Sequence, residues 1–544
     1  MRSRSRWRAW RSTSRQRRPY DRNMTARPHF WILALATLAA ASSGVLAHGN
    51  TKHTKGTMDA RSHEAGWLSA GPASAVSAPS ALSALSAAPA LSALSAAPAL
   101  SAPSALSALS AAPAPSALSA APASSASQAA AHQRWWGQWR GPLATGVSPT
   151  ASPPVEWSET KNVRWKVEVP GRGSGSPVIW GDKVFLTSAV PVGTSGKASH
   201  APLGGHTPRP SHEFKVFAFD RRTGKIAWER VAHTQVPHEQ SHQDNGTWAS
   251  QSAITDGEHV IAYFESFGIY VYDMNGTLAW KKDLGDKGMR NEFGEGSTPA
   301  LHGNTIVIVW DHITGPSFIV ALDKRNGNEL WRTSRDEIDT WATPLIVPVD
   351  GRHQVVVPAM NKVRAYDLET GKAVWEAPGT TMNAIPSPVA GHGMAFLMSG
   401  FRGNNLKAIR LSGAKGDLAG TPAIVWEINR DTPYVPSPLL YDDILYFLKT
   451  NNGLLSAFHA PTGKPHYQLQ RLDKVPNVFS SPVGAAGRVY IAGREGTTLV
   501  FKHGPTFEVL AENVLDDGFD ASPALVEGEI FLRGYEFLYC IAAG

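Results

Sequence analysis

Ala365-Tyr366-Asp367-Leu368-Glu369-Thr370-Gly371-Lys372-Ala373-Val374-Trp375 recurs along the chain with its key residues in register. The same order runs through Ala218-Phe219-Asp220, Gly224, Trp228; Val271-Tyr272-Asp273, Gly276, Trp280; Ala321-Leu322-Asp323, Gly327, Trp331; and Ala457-Phe458-His459, Gly463, Tyr467. Glycine and aromatic are four residues apart each time. An alternating apolar run, a turn and a second such run describe two antiparallel strands. Asp opens the turn through its side-chain oxygen and Gly supplies a positive φ. The spacing therefore sets one strand register for all five copies.

Upstream of each copy stands a Ser/Thr-Pro strand start: Ser176-Pro177, Thr298-Pro299, Thr343-Pro344, Ser387-Pro388, Ser437-Pro438, Ser481-Pro482 and Ser522-Pro523, with Ser252-Ala253 as a variant. These mark eight units, and from Ala253 to Pro523 the mean step is 45 residues, the length of one four-stranded propeller blade. The first step is longer because residues 190–212 insert a Gly/Pro/His-rich loop. The eighth unit stops at Leu538-Tyr539-Cys540-Ile541 after three strands, whereas Asn162–Glu168, with Trp165, precedes the first start and belongs to no unit. The reading is an all-β, eight-bladed β-propeller over residues 134–544, its last blade closed by the Trp165 strand so that no open sheet edge remains.

These residues resemble the pyrroloquinoline-quinone-type repeat, Ala-x-Asp-x-x-Thr-Gly-x-x-x-Trp, of quinoprotein-like propellers. Asp220-Arg-Arg-Thr-Gly-Lys and Asp367-Leu-Glu-Thr-Gly-Lys fit it closely. The resemblance implies that each repeated aromatic docks between neighbouring blades. It also implies one of two functions: quinone-dependent dehydrogenation of alcohols or sugars, or non-catalytic binding as in the barrel-assembly lipoproteins of the outer membrane. The alcohol dehydrogenases carry a vicinal disulfide against the quinone, which the single Cys540 cannot form, and longer insertions than these units hold. The barrel-assembly proteins are lipidated on a cysteine, which this chain lacks after its apolar leader.

That leader is Phe30–Ala41, preceded by Arg27 and followed by Ser42-Ser43-Gly44-Val45-Leu46-Ala47. Residues 1–47 read as a secretory signal peptide, with Met24 as an alternative start and an uncleaved membrane anchor as the competing reading. Residues 48–133 read as a disordered tether: from Ala65 to Gln133 there is no Asp, Glu, Lys or Arg, and the unit Ser-Ala-Leu-Ser-Ala-Ala-Pro-Ala-Leu stands in tandem at 83–91 and 92–100. The chain carries 52 Lys+Arg against 45 Asp+Glu, but ten of the arginines and one acid fall within residues 1–47. Beyond them 42 basic and 44 acidic side chains leave a net charge of −2, which removes the compositional case for a nucleic-acid partner. The expected protein is exported, periplasmic or extracellular, peripheral or tethered to a membrane, and a monomer.

Candidate chemistry is sparse. The Thr-Gly-Lys triplets lack the upstream glycine of a phosphate loop, and Gly171-Arg172-Gly173-Ser174-Gly175 leads into a strand where a dinucleotide fingerprint needs a helix. His233, His238, His242 and Asp244, and separately His200, His206 and His212, have irregular spacing that suits solvated loops better than zinc. No nucleophile motif such as Gly-x-Ser-x-Gly is present. What varies while the scaffold repeats is the residue just before each strand start, where an innermost strand opens at a channel mouth. These positions hold Arg172, Asn245 with Trp248, Glu295, Trp341, Asn383, Tyr434, Phe479 and Asp520. Polar and aromatic groups converging on one axis suit a ligand site. The expected function is a non-catalytic scaffold that binds a protein or glycan partner without cofactor or metal. The alternative is a dehydrogenase holding pyrroloquinoline quinone with Ca²⁺ on Glu295, Asn383 and Asp520.

Overall fold

Within each repeat the aromatic lies opposite the residue that opens the Ala/Val-x-Asp/His triplet, alanine in four of five: Ala218 faces Trp228, Val271 faces Trp280, Ala321 faces Trp331, Ala365 faces Trp375 and Ala457 faces Tyr467. A small residue on one strand leaves the room an indole needs on its neighbour. The aspartate turns form as the sequence requires, with Oδ1 of Asp220, Asp273, Asp323 and Asp367 accepting the backbone N–H two or three residues on.

The computed structural model describes residues 130–193, 209–242 and 245–544. The expected signal peptide, the expected tether up to residue 129, His200, His206 and Asp244 lie outside the described residues. Eight antiparallel sheets follow one another around a central channel, each wound from an inner strand outward. Blade 1 comprises Val178–Trp180, Lys183–Pro191, His212–Asp220 and Ile226–Gln235, and blades 2 to 7 repeat the pattern. Blade 8 takes Ala524–Val526, Glu529–Arg533 and Phe537–Ala542 from the end of the chain and Val163–Glu168 from its beginning, Trp165 pairing with Cys540. The closing strand is thus the one expected. Blade 4 departs from four strands: the short strand Gly416–Asp417, from an insertion in blade 5, adds to it in parallel.

Two repeated contacts join blade to blade. The first is the tryptophan. Nε1 of Trp165, Trp228, Trp280, Trp331 and Trp426 donates to the turn carbonyl of the next blade, at Arg221, Met274, Lys324, Leu368 and Ala460, over 2.7–3.1 Å. Each ring lies against the turn glycine of that blade, where a Cβ on Gly224, Gly276, Gly327, Gly371 or Gly463 would meet indole carbon within 2.4–2.8 Å. Burying one such ring removes roughly 150–250 Å² from water, about 4–6 kcal/mol by area. The second contact is the strand-start hydroxyl. Ser176 N–H donates to Ser252, Ser252 to Thr298, Thr298 to Thr343, Thr343 to Ser387, Ser387 to Ser437, Ser437 to Ser481, Ser481 to Ser522, and Ser522 back to Ser176. All eight bonds run from backbone nitrogen to side-chain oxygen at 2.8–3.2 Å, a closed ring about the channel. The hydroxyl, with the proline beside it, explains the repeated Ser/Thr.

Residues 134–161 form a strap across one face. Trp136 O and Gly137 O accept from Ile179 and Thr255, Thr145 O and Gly146 O from Leu440 and Gly484, and Glu527 O accepts from Ser152. The strap therefore bonds to blades 1, 2, 6, 7 and 8. Arg140 of the strap is buried and donates to the carbonyls of Pro438 and Pro482 at 2.6 and 2.9 Å, and burial lowers its pKa to about 9. In blade 7 the register place of the tryptophan is taken by Ala511, opposite Val500. Trp157 of the strap packs into the same cluster and stacks on Tyr490 at 6.4 Å.

Candidate functional site

The inner strands leave a cavity of about 380 Å³ at one mouth of the channel. Seven residues singled out in the sequence line it: Asn245, Glu295, Trp341, Asn383, Tyr434, Phe479 and Asp520. Two do not. Arg172 borders a small adjoining crevice with Asp520, Arg533 and Tyr535. Trp248 turns aside, its indole donating to Glu239 O at 3.2 Å and packing 4.6 Å from the His212 ring. The lining also includes Trp139 of the strap, His242, Phe293, Ile385 and Asn451, which the strand-start rule misses because they come from connections and from outside the repeats. Trp139 borders both this cavity and the groove on the opposite face, so the strap stands between the two.

The walls are aromatic, and their charges are answered locally. Trp341 is held by its backbone N–H on Ala384 O and its Nε1 on Gly294 O, 2.9 and 2.8 Å. Tyr434 stacks on Phe401 at 4.7 Å. The Arg494 guanidinium lies 4.4 Å over the Phe479 ring and pairs with Asp520 at 2.8 Å, while Tyr535 Oη donates to Asp520 Oδ1 at 3.2 Å. Burial raises the Asp520 carboxyl against the pull of Arg494. Behind the opposite wall Lys287 and Glu265 form a fully buried ion pair. Burial alone would lower the Lys287 ammonium, but Glu265 and Glu295 raise it. Glu295 accepts from Ser266 N–H at 3.0 Å and contacts the Ser266 hydroxyl. Its carboxyl is pushed up to about 8, first by burial and then by the Glu265 carboxylate.

That shift has a measurable consequence. A carboxyl with a folded pKa of about 8 and an ordinary value of 4.5 keeps in the folded state a proton that the unfolded chain has released. Stability should therefore fall as pH rises through that window. Glu295→Gln, neutral at every pH, should melt like the parent at about pH 5 and above it at about pH 9. Parallel melting profiles across this range would show that Glu295 carries no such proton.

Asn383 is the singular member. It is 1% exposed, its backbone φ is +57°, and its Nδ2 donates to Tyr434 Oη at 3.3 Å. Its Oδ1 has no partner.

The histidines suggested by the sequence do not gather here. His233 bonds Gln235 at 2.7 Å, His238 bonds Lys287 O at 3.0 Å, and His242 packs edge-on to Phe293 at 4.8 Å. Nor do the lining residues fit the quinone. A tricarboxylate needs cations, and no lysine or arginine lines the cavity among the described residues. Two of the three oxygen ligands considered for Ca²⁺ are already engaged, Glu295 by Ser266 and Asp520 by Arg494.

The model of the family described as outer membrane protein assembly factor BamB matches residues 154–310 and 315–535. The chain belongs to that family. A stretch of 191 residues is 25% identical to outer membrane protein assembly factor BamB of Francisella salina, covering 31% of this chain and 35% of that relative. The match thus spans about a third of the relative's length. The crystal structure of BamB from Moraxella catarrhalis aligns over 69% of this chain and 98% of its own, at 12% identity and a TM-score of 0.48. The quinohemoprotein alcohol dehydrogenase ADHIIG of Pseudomonas putida HK5 aligns over 77% of this chain and 82% of its own, at 12% identity and a TM-score of 0.47.

Proposed function

We propose that this BamB-family chain is an exported, non-catalytic scaffold of the cell envelope that engages a protein partner at the open channel mouth. The observation that carries the reading is the family match over both halves of the propeller, to a family described as an outer membrane protein assembly factor. The mouth supports it: Trp341, Tyr434 and Phe479 are half-buried rings of the kind that anchor interfaces, and they sit in the connections four or five residues before the inner strands of blades 4, 6 and 7. The apolar leader accounts for export. The one thiol, Cys540, is buried in blade 8 and raised by burial, so attachment to a membrane does not run through it.

Cross-linking and pull-down from envelope extracts test this. Trp341→Ala with Tyr434→Ala should remove the captured protein while leaving a cooperative melt, since neither ring is one of the repeat tryptophans docked on a turn glycine and each gives up only a bond or stack at the mouth, to Gly294 O and to Asn383 and Phe401. Unchanged capture would move the interface to another face. Visible absorbance of bound quinone after reconstitution, with turnover of alcohols or sugars, would overturn the non-catalytic reading.

A further inference from the structure

An acceptor buried without a donor is expensive and rare, and Asn383 Oδ1 is one. Its residue also has φ +57°, in the left-handed region that Asn enters more readily than other non-glycine residues. Both features meet at a wall of the channel cavity, so the missing donor is one that a bound molecule would bring.

The rest of the wall restricts what that molecule can be. No lysine or arginine faces the cavity among the described residues, and the one histidine in the lining, His242, packs edge-on to Phe293, so an anion finds no permanent cation. Asp520 is taken by Arg494 and Glu295 by Ser266 with Lys287 behind it, so a cation finds no free carboxylate. The ligand is therefore uncharged. The strand-start hydroxyls of Ser176, Ser252, Thr298, Ser481 and Ser522 line the same space. Each accepts a backbone N–H through its oxygen, leaving its own O–H as a donor. A ligand rich in hydroxyls answers both kinds of group, and Trp341, Tyr434 and Phe479 offer flat apolar faces to a ring. Trp139 of the strap stands between this cavity and the groove on the opposite face. The cavity volume, about 380 Å³, falls among small-molecule sites, roughly 300–1,000 Å³.

We propose that the channel cavity binds one end of an uncharged sugar, its ring laid on the aromatic wall and a hydroxyl donated to Asn383 Oδ1. This deepens the reading of the mouth as a recognition site and names a second ligand class for it.

Titration calorimetry and tryptophan fluorescence on the full chain test it, with cellobiose and N,N′-diacetylchitobiose as probes and glucuronate and tri-alanine as comparators. One or both neutral disaccharides should bind saturably, and the comparators should not. Asn383→Gly keeps the backbone conformation and removes the acceptor, so it should weaken binding about tenfold. Trp341→Ala should abolish it. The proposal is overturned by no saturable response to either sugar up to about 10 mM, near the weak end of specific binding. It is equally overturned by binding of tri-alanine alone, or by undiminished affinity in Asn383→Gly. Protein capture is read separately: sugar binding without capture sinks the partner reading and supports this one, and capture without sugar binding does the reverse.

Discussion

Removing residues 134–168 should abolish the cooperative melt of the propeller. The deletion takes away the outer strand of blade 8 and with it Trp165, whose Nε1 bonds Arg221 in blade 1. It also removes Trp136, 1% exposed, and Trp157, 3% exposed. Loss of a buried tryptophan costs about 3–5 kcal/mol each, so three together match or exceed the 5–15 kcal/mol that holds an ordinary fold. Further losses follow. Arg134 and Arg164 leave Glu527 and Glu529, and Phe537–Ala542 becomes an open edge between blades 8 and 1. Circular dichroism melts of the intact and truncated proteins decide the matter. A truncated chain that unfolds cooperatively near the temperature of the intact one would mean that blades 1 and 8 hold together without strap or closing strand.

The repeats were legible because the contact that joins blades is written in consecutive residues. Asp, Gly and Trp at fixed spacing make one turn and dock one ring, and the strand-start hydroxyls fall every 45 residues or so because each bonds the next blade. Where an insertion breaks the spacing, the signal fades. Trp426 holds the repeat place in blade 5, opposite Ala408, but residues 411–423 separate it from its turn. That insertion supplies Leu418 over Trp375, whose Nε1 turns back to Gln354 Oε1 at 3.0 Å instead of reaching blade 5. The strap carries no repeat at all. Its sign in the sequence is compositional: Trp135, Trp136, Trp139 and Trp157 stand close together outside every unit, and such rings need a surface to cover. Of the channel mouth, the strand-start rule finds the residues whose direction the blade fixes. Arg172 and Trp248 escape it because a crevice and the His212 ring offer them other places. That Asn383 keeps an unmatched acceptor depends on neighbours brought from blade 6, which spacing within one chain segment does not encode.

Gly371→Ala and Gly393→Ala should differ several-fold in cost although their backbones are nearly the same. Gly371 has φ +69° and Gly393 φ +70°, so an added Cβ pays the same left-handed penalty in both, about 1–2 kcal/mol. At Gly393 nothing lies within 4 Å of that Cβ. At Gly371 it would stand 2.4 Å from Trp331 Cε3 and 2.5 Å from Cδ2, an overlap that only movement of the indole relieves. Trp331 cannot move and keep its 2.8 Å bond to Leu368 O, so the blade 3 to blade 4 contact opens. Losing part of a tryptophan's burial adds about 2–4 kcal/mol to the backbone term. Urea titrations should place Gly393→Ala slightly below the parent midpoint and Gly371→Ala far below it. Combining Gly371→Ala with Trp331→Ala should cost much less than the two changes summed, because the clash disappears with the ring. Equal midpoints for the two alanine variants would sink the close-approach account and leave the repeat glycine explained by its dihedral angle alone.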